Sequence, residues 1–324
     1  MAKKLRIVLT CAASSLLIAA CGSAAPQSAS APKFPTSAIT LIVPYKAGSA
    51  PDLTARSAVP NAAKYLAGTI LVQNHTGGAG AVGLQEVASS APTGYTLGMG
   101  ASANFEVVPH LLSNAMTPQK VTLIAQLASL PVVLFVKSTS PIKSISDWVT
   151  YTKAHPGLTV AVDKAHSLLA LNAILLGQVT HAQLKVVPVG TGSQALDVLN
   201  GSADAGVLTP SVLVPYVQSH QLRIIGLFAQ QPIPGLSVPT FWSQGIHVAE
   251  VPSQFVFGPK GMPASVVARL ASAFKNAVTS SSFRTYARKS WFSPEYLGPS
   301  ALTKSVVSGY KQDTAILRRV GWLQ

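Results

Sequence analysis

Two glycine-rich stretches hold the residues whose types and spacing suit the capture of an anion. They are VPYKAGSAPDLTAR, from Val43 to Arg56, and VQNHTGGAGAVG, from Val72 to Gly83. Glycine tolerates backbone conformations closed to other residues, so Gly48, Gly77, Gly78 and Gly80 let main-chain N–H groups come close to a ligand. Asp52 and Gly83 fall near helix starts, where unpaired N–H groups and the helix dipole favour negative charge. Either loop alone is equally well a tight turn. Two of them, each following a strand in one α/β unit, favour a binding site. Lys46 either adds an ion pair to a bound anion or extends into solvent. Asp52 reads as a helix N-cap, with Arg56 one turn on as its partner. Further along, Ser102 and Asn104 follow YTLGMG and either donate hydrogen bonds to a ligand or cap the next helix. Ser167 has the same two readings. VGTG, Val189–Gly192, sets Gly190 and Thr191 ahead of a helix, as a further anion cradle or as a turn. Asp204 follows NGSA and either joins the site or only stabilises that turn.

Other chemistries find little support. Gly78-x-Gly80-x-x-Gly83 matches the dinucleotide fingerprint letter for letter, but NHTG separates it from the strand-like ILVQ. The residue nearest the required acid, Glu106, follows ASANF, which reads as a loop or a helix start. There is no G-x-S-x-G, no H-E-x-x-H and no cysteine after position 21. The ten acidic residues include no obvious close pair, which is weak evidence against a hydrolase. The seven histidines lack metal-ligand spacing, so neither a metal nor a cofactor is expected.

Both cysteines, Cys11 and Cys21, lie in the opening stretch. Lys3, Lys4 and Arg6 precede an apolar run, Ile7 to Ala20, that is too short to span a bilayer. With LIAAC at its end, this reads as a lipoprotein signal peptide cut before Cys21, whose sulfur takes the lipid. On that reading residues 1–20 are discarded and residues 21–33 form a flexible tether. The body then has no thiol. The expected location is exported and membrane-anchored, in the periplasm or at the cell surface. The chain carries 24 Lys and Arg against 10 Asp and Glu, a net charge of +14. That excess attracts anions such as acidic lipid, cell-wall polymers or small carboxylates. Export argues against nucleic acid, and no run of Lys and Arg exceeds two.

These residues need a frame that alternates strands and helices. ITLIVPY, TILVQN and YTLGMGAS read as strands, separated by a helix from Asp52, with an awkward Pro60 that should kink or split it, and by the helix VGLQEVASSAPTG. TLIAQLA and PVVLFVK are two more short buried runs. From Ser138 a second series begins. SISDWVTYTKAHPG has Ile145, Trp148 and Val149 at helical spacing, but polar Thr152 falls next on the stripe and predicts a short helix. LTVAV, LKVVPV, ADAGVL and LRIIGLF then alternate with three helices, and SQFVFGPKG leaves the unit. PASVVARLASAFKNAVTS puts Val266, Leu270, Phe274 and Val278 on one stripe. A final helix closes the chain. The βαβα order predicts α/β architecture with parallel sheets and helices on both faces. Residues 34–137 with 256–324 form the first domain and 138–255 the second. The ligand belongs in the cleft between them, beyond the strands' C-terminal ends.

VPYKAGSAPDLTAR, QNHTGGAGAVG, VASSAPTGYTL, VVPVGTGSQALDVLNGSADAGV and GPKGMPASVVARL together resemble the substrate-binding proteins of tripartite tricarboxylate transporters, the Bug family. The likeness runs from about Phe34 to the end of the chain and is densest over Phe34–Leu97. Ser49 stands where a second glycine is usual, Lys46 where the family has a small residue, and Gln73, His75, Thr76 and Met262 also depart. In AVDKAHSLLAL, Lys164 and His166 precede Ser167 where the family has a Gly-Ser-rich turn. The resemblance implies a two-domain Venus-flytrap fold of the periplasmic-binding-protein type. In it, amides and ordered waters of the first domain hold one carboxylate and the second domain closes over the other end. It places Asp52 at the pocket border and implies the transporter's membrane subunits as partners. A monomeric, lipid-anchored receptor for a small carboxylate is the leading expectation. An exported α/β enzyme acting on anionic metabolites and a basic-surfaced adhesin are the rivals.

Overall fold

A computed structural model describes residues 34–190 and 192–323. Residues 1–33, where a signal peptide and a tether with Cys21 are expected, lie outside the described residues, as does Thr191. The chain first lays down β1 (Ile39–Val43), α1 (Ala50–Leu66), β2 (Ile70–Asn74), α2 (Ala81–Ala88), β3 (Thr96–Ala101), α3 (Ala103–Glu106), α4 (Val108–Leu111) and β4 (Val121–Ser129). It crosses at Leu130-Pro131 into β5 (Val132–Lys137), α5 (Ile145–Ala154), β6 (Leu158–Val162), α6 (Leu168–Thr180), β7 (Leu184–Pro188), α7 (Gln194–Asn200), β8 (Ala205–Leu208), α8 (Pro210–Gln218) and β9 (Leu222–Phe228). It returns as β10 (Ser253–Pro259), α9 (Ala264–Thr279), α10 (Ser281–Lys289), β11 (Ser293–Pro294) and α11 (Pro299–Arg319).

Two sheets result, in the orders β11-β4-β10-β3-β1-β2 and β7-β6-β8-β5-β9. They are mixed, not parallel throughout. β10 runs against β3 and β4, and β5 runs against β8 and β9. A strand arriving from the other lobe enters at the edge where the local strands end, so it must run against them. PVVLFVK, expected in the first unit, is therefore an inner strand of the second sheet. The same topology turns the C-terminal edges of both sheets toward the crossings, and so toward each other.

Each sheet is covered on both faces. α1, α9 and α10 cover one face of the first sheet, and α2, α3 and the front of α11 cover the other. α5 and α6 cover one face of the second sheet, and α7 and α8 the other. The stripe predicted for α9 is largely buried, at Leu270, Phe274 and Val278. α1 runs unbroken through Pro60, which lies on the exposed face, so the carbonyl left without a donor can be hydrated. α5 continues past Thr152 because that side chain is buried and satisfies its hydroxyl on the Trp148 carbonyl at 2.8 Å. In the sheets, Gly98 and Gly100 sit opposite Phe257 and Phe255, and Gly206 sits opposite Phe135. A Cβ at Gly98 would lie 2.4 Å from the Phe257 ring, so the missing side chain is the space the ring fills. α11 joins both lobes: Leu302 and Val306 pack beside Phe255 and Phe257, while Leu317 packs in the second core with Trp148.

Candidate functional site

Three loops of the first lobe meet beyond the ends of β1, β2 and β3. The first is organised by Asp52. The N-cap of α1 is Ser49, not Asp52, and Pro51 occupies the first turn. Asp52, one turn in, is 1% exposed and gathers hydrogen bonds from both neighbouring segments. Gly48 N–H donates to it at 2.9 Å, Arg56 Nε at 2.9 and 3.0 Å, and Asn74 Nδ2 at 2.9 Å. Asn74 Nδ2 also reaches the Tyr45 carbonyl at 3.0 Å, and Arg56 Nη2 donates to Asn74 Oδ1 at 2.9 Å. Burial by itself would raise the Asp52 carboxyl. The bonds from Arg56, Gly48 and Asn74, with the Arg56 charge, outweigh it and hold the group below its ordinary range. Asp52 therefore ties the loops together, its carboxylate taken up by protein donors.

The Tyr45 hydroxyl donates to Asn104 Oδ1 and links the first loop to the third. With Oδ1 so engaged, Asn104 Nδ2 faces the second loop, 3.8 Å from where a Cβ on Gly80 would stand. Burial, and then the negative charge of Asp163 in the second lobe, push the Tyr45 phenol far above its ordinary value, so it remains a neutral donor. The second loop lies tight against the first. A Cβ on Gly83 would come within 2.7 Å of the His75 carbonyl and 3.0 Å of Pro44.

Not all the expected amides are free. Gly48 N–H is spent on Asp52, Gly80 N–H on the Gly77 carbonyl at 2.9 Å, and Ser49 N–H on the Lys46 carbonyl at 3.1 Å. Among the described residues, the N–H groups of Gly77 and Gly78 meet no protein acceptor. Their φ values, 136° and 52°, favour glycine. The Ser49 hydroxyl is enclosed without a partner among the described residues. Lys46 is exposed. Ser102 is 2% exposed, and its Oγ accepts from Ser253 N–H at 3.1 Å across the β3–β10 junction, so one of its lone pairs is taken up inside the lobe.

In the second lobe, Ser167 caps α6, accepting from Ala170 N–H at 3.1 Å and donating to Asp163 Oδ1 at 2.5 Å. Gly190, at φ 91°, donates its N–H to the Asp163 carbonyl at 3.1 Å, which joins the two loops that follow β6 and β7. Lys164 is exposed, and His166 stands edge-on to Trp322, 4.9 Å between ring centroids. Asp204 lies elsewhere. It precedes β8 and accepts from Thr159 N–H and Oγ1 at 2.8 and 2.6 Å, at the opposite end of the sheet. The sequence pattern does not single out Tyr45, Asn74 or Asp163. Their only signal is a polar residue at or just past a strand end, beside a glycine loop or a helix cap.

Behind the cleft, a cavity of about 580 Å³ opens against α11, lined by Ser102, Glu106, Gln126, Ser253 and Gln312. Glu106 is pushed up to about 8 by burial and by the charges of Asp313 and Glu250, and Asp313 to about 7 by burial and Glu250. Among the described residues, no three of His, Cys, Asp and Glu are grouped to hold a metal ion, and no helix is long and apolar enough to cross a membrane.

Comparison with known proteins accords with this layout. The family model described as "Tripartite tricarboxylate transporter family receptor" (TctC) matches residues 54–322. The protein of the gbd 5′ region of Cupriavidus necator is 30% identical over 307 residues, covering 94% of each chain. Malate-bound MatC of Rhodopseudomonas palustris superposes with a TM-score of 0.76 at 24% identity, covering 88% of this chain and all of that one. An R. palustris protein solved with adipate gives 0.80 at 21% identity, covering 89% and 98%.

Proposed function

Since the chain belongs to the family of tripartite tricarboxylate transporter receptors, which are binding proteins and not enzymes, we propose that it captures a small organic acid in the cleft between its lobes. The exported-enzyme reading falls away with that membership. The observation that carries the proposal is the pair of unspent N–H groups at Gly77 and Gly78, in the loop after β2 whose Gly80 lies near the Asn104 amide. Amides fixed in this way bind a carboxylate without a cation. The malate and adipate held by the two structural relatives support the ligand class. Gly190 and Ser167 shape the opposing rim, and Lys46 and Lys164 are exposed in the loops that follow β1 and β6.

On this reading the receptor is exported, anchored by a lipid on Cys21, monomeric, and hands its solute to membrane subunits. Native mass spectrometry of freshly purified protein, with calorimetry against small carboxylates both with and without an amino group, tests the capture. A bound carboxylate of micromolar or tighter affinity is expected. Absence of binding across the panel would sink the reading. For the anchor, Cys21→Ser should move the protein from the membrane pellet to the soluble fraction, and retention after a salt wash would refute it.

A further inference from the structure

The second lobe brings to the cleft a charge that carboxylate capture alone leaves unused. Asp163 follows β6 directly and is half-buried. Its Oδ1 takes the Ser167 hydroxyl at 2.5 Å, and its main-chain carbonyl holds Gly190 N–H at 3.1 Å, so both side chain and backbone are fixed. Among the described residues the ion pairs are Arg56 with Asp52 and His75 with Glu86, and none neutralises Asp163. Lys164, next in the chain, is exposed. Asp163 stands just past the C-terminal end of β6, on the sheet edge that the crossings turn toward the first lobe, and its negative charge adds to the rise of the Tyr45 phenol.

The two rims therefore offer opposite chemistry. Gly77, Gly78 and Asn104 present donors suited to a carboxylate, and Asp163 presents a carboxylate of its own. A plain organic acid closing between them would be held at one end and repelled at the other. An uncompensated carboxylate in a closing, water-poor cleft is costly. A cationic nitrogen beside the solute's carboxylate satisfies both rims through charge-assisted hydrogen bonds.

We propose that the solute is an amino acid or related zwitterion, and that Asp163, fixed by Ser167 at the rim opposite the Gly77–Gly78 amides, receives its cationic nitrogen. This rests on the carboxylate reading of the same cleft and narrows its ligand class.

The test is calorimetry of the full chain with the standard amino acids and with matched acids lacking the nitrogen: propionate for alanine, succinate for aspartate, glutarate for glutamate. At least one amino acid should bind roughly tenfold or more tightly than its partner. Asp163→Asn should weaken that amino acid roughly ten- to a hundredfold. It should leave the nitrogen-free partner unchanged or tighter. Asparagine keeps an acceptor for Ser167, so an unchanged melting temperature without solute confirms that α6 is still capped. Succinate or glutarate binding as tightly as its amino partner would overturn the nitrogen assignment and leave carboxylate capture standing. Equal amino-acid affinity in wild type and variant would overturn the role of Asp163. Binding by neither set would overturn both. The wild-type comparison decides the ligand class without any variant.

Discussion

At the scale of single residues, the site is built by side chains that organise backbone. Asp52 receives four hydrogen bonds from three residues, and Arg56, its only charged partner there, is itself half-exposed. Asp52→Asn would turn one acceptor into a donor facing donors, and should cost about 1–3 kcal/mol at neutral pH in denaturant melts. Because the folded carboxyl sits below its unfolded value of 3.8, its contribution is present above that pH and disappears as pH falls through the folded value. The variant should therefore lose less stability than wild type on acidification below about pH 4. Tyr45→Phe removes the donor that orients Asn104. It should weaken solute binding about fivefold, close to the 1 kcal/mol of one hydrogen bond, with little change in melting temperature. The glycines and Lys46 were legible from the sequence as loop residues after strands, and Asn104 as a polar residue between a strand and the next helix. Asp52 was legible as important but not in its role, because a carboxylate near a helix start reads as a cap until the chain 22 residues away arrives to share it. Nothing in local pattern tells that Ser102 accepts from the backbone of Ser253, 151 residues on.

At the scale of elements, apolar runs and helical stripes located the strands β1–β10 and the longer helices but not α4, α10 or β11, and other misreadings arose where a partner element decides the outcome. Thr152 sits on a buried stripe because its hydroxyl reaches back to Trp148, and β5 changes lobe because β8 and β9 flank it. The glycines of β3 are set by β10 in the same way. Gly98→Ala would drive a methyl into the Phe257 ring, and the antiparallel pair would have to part or the ring leave its place. The expected loss is about 1–3 kcal/mol, read by chemical denaturation. The double change Gly98→Ala, Phe257→Leu should recover part of it, since the ring's space is freed. Alanine at an exposed glycine with open surroundings, such as Gly157, tests backbone strain alone, because its φ of 89° is the only obstacle.

At the scale of the whole molecule, acid groups collect where the lobes are joined. Glu106 belongs to α3 of the first lobe and Asp313 to α11, which packs in both lobes. Glu250 belongs to the returning crossing and is held by Asn172 of the second through its backbone, at 2.7 and 3.1 Å. All three are raised mainly by burial. In the folded chain they keep protons that the unfolded chain has already released, so unfolding sheds protons and is favoured as pH rises. Melting temperature should decline from about pH 4.5, the ordinary value for Glu106, to about 8, its folded value, and then level off. Glu106→Gln should flatten that decline, and a slope identical to wild type would remove Glu106 as its source. The sheet order also has a consequence in time. β10, residues 253–259, is an inner strand of the first sheet, bonded to β3 and β4, whereas the second sheet is built entirely from residues 132–228. A chain delivered from its N-terminus can thus finish the second sheet while the first still waits, open down its middle, for residues not yet delivered. The part that comes first in the sequence is the part completed last. Until then the unpaired edges of β3 and β4 are where a newly delivered chain is most exposed to aggregation or to a chaperone.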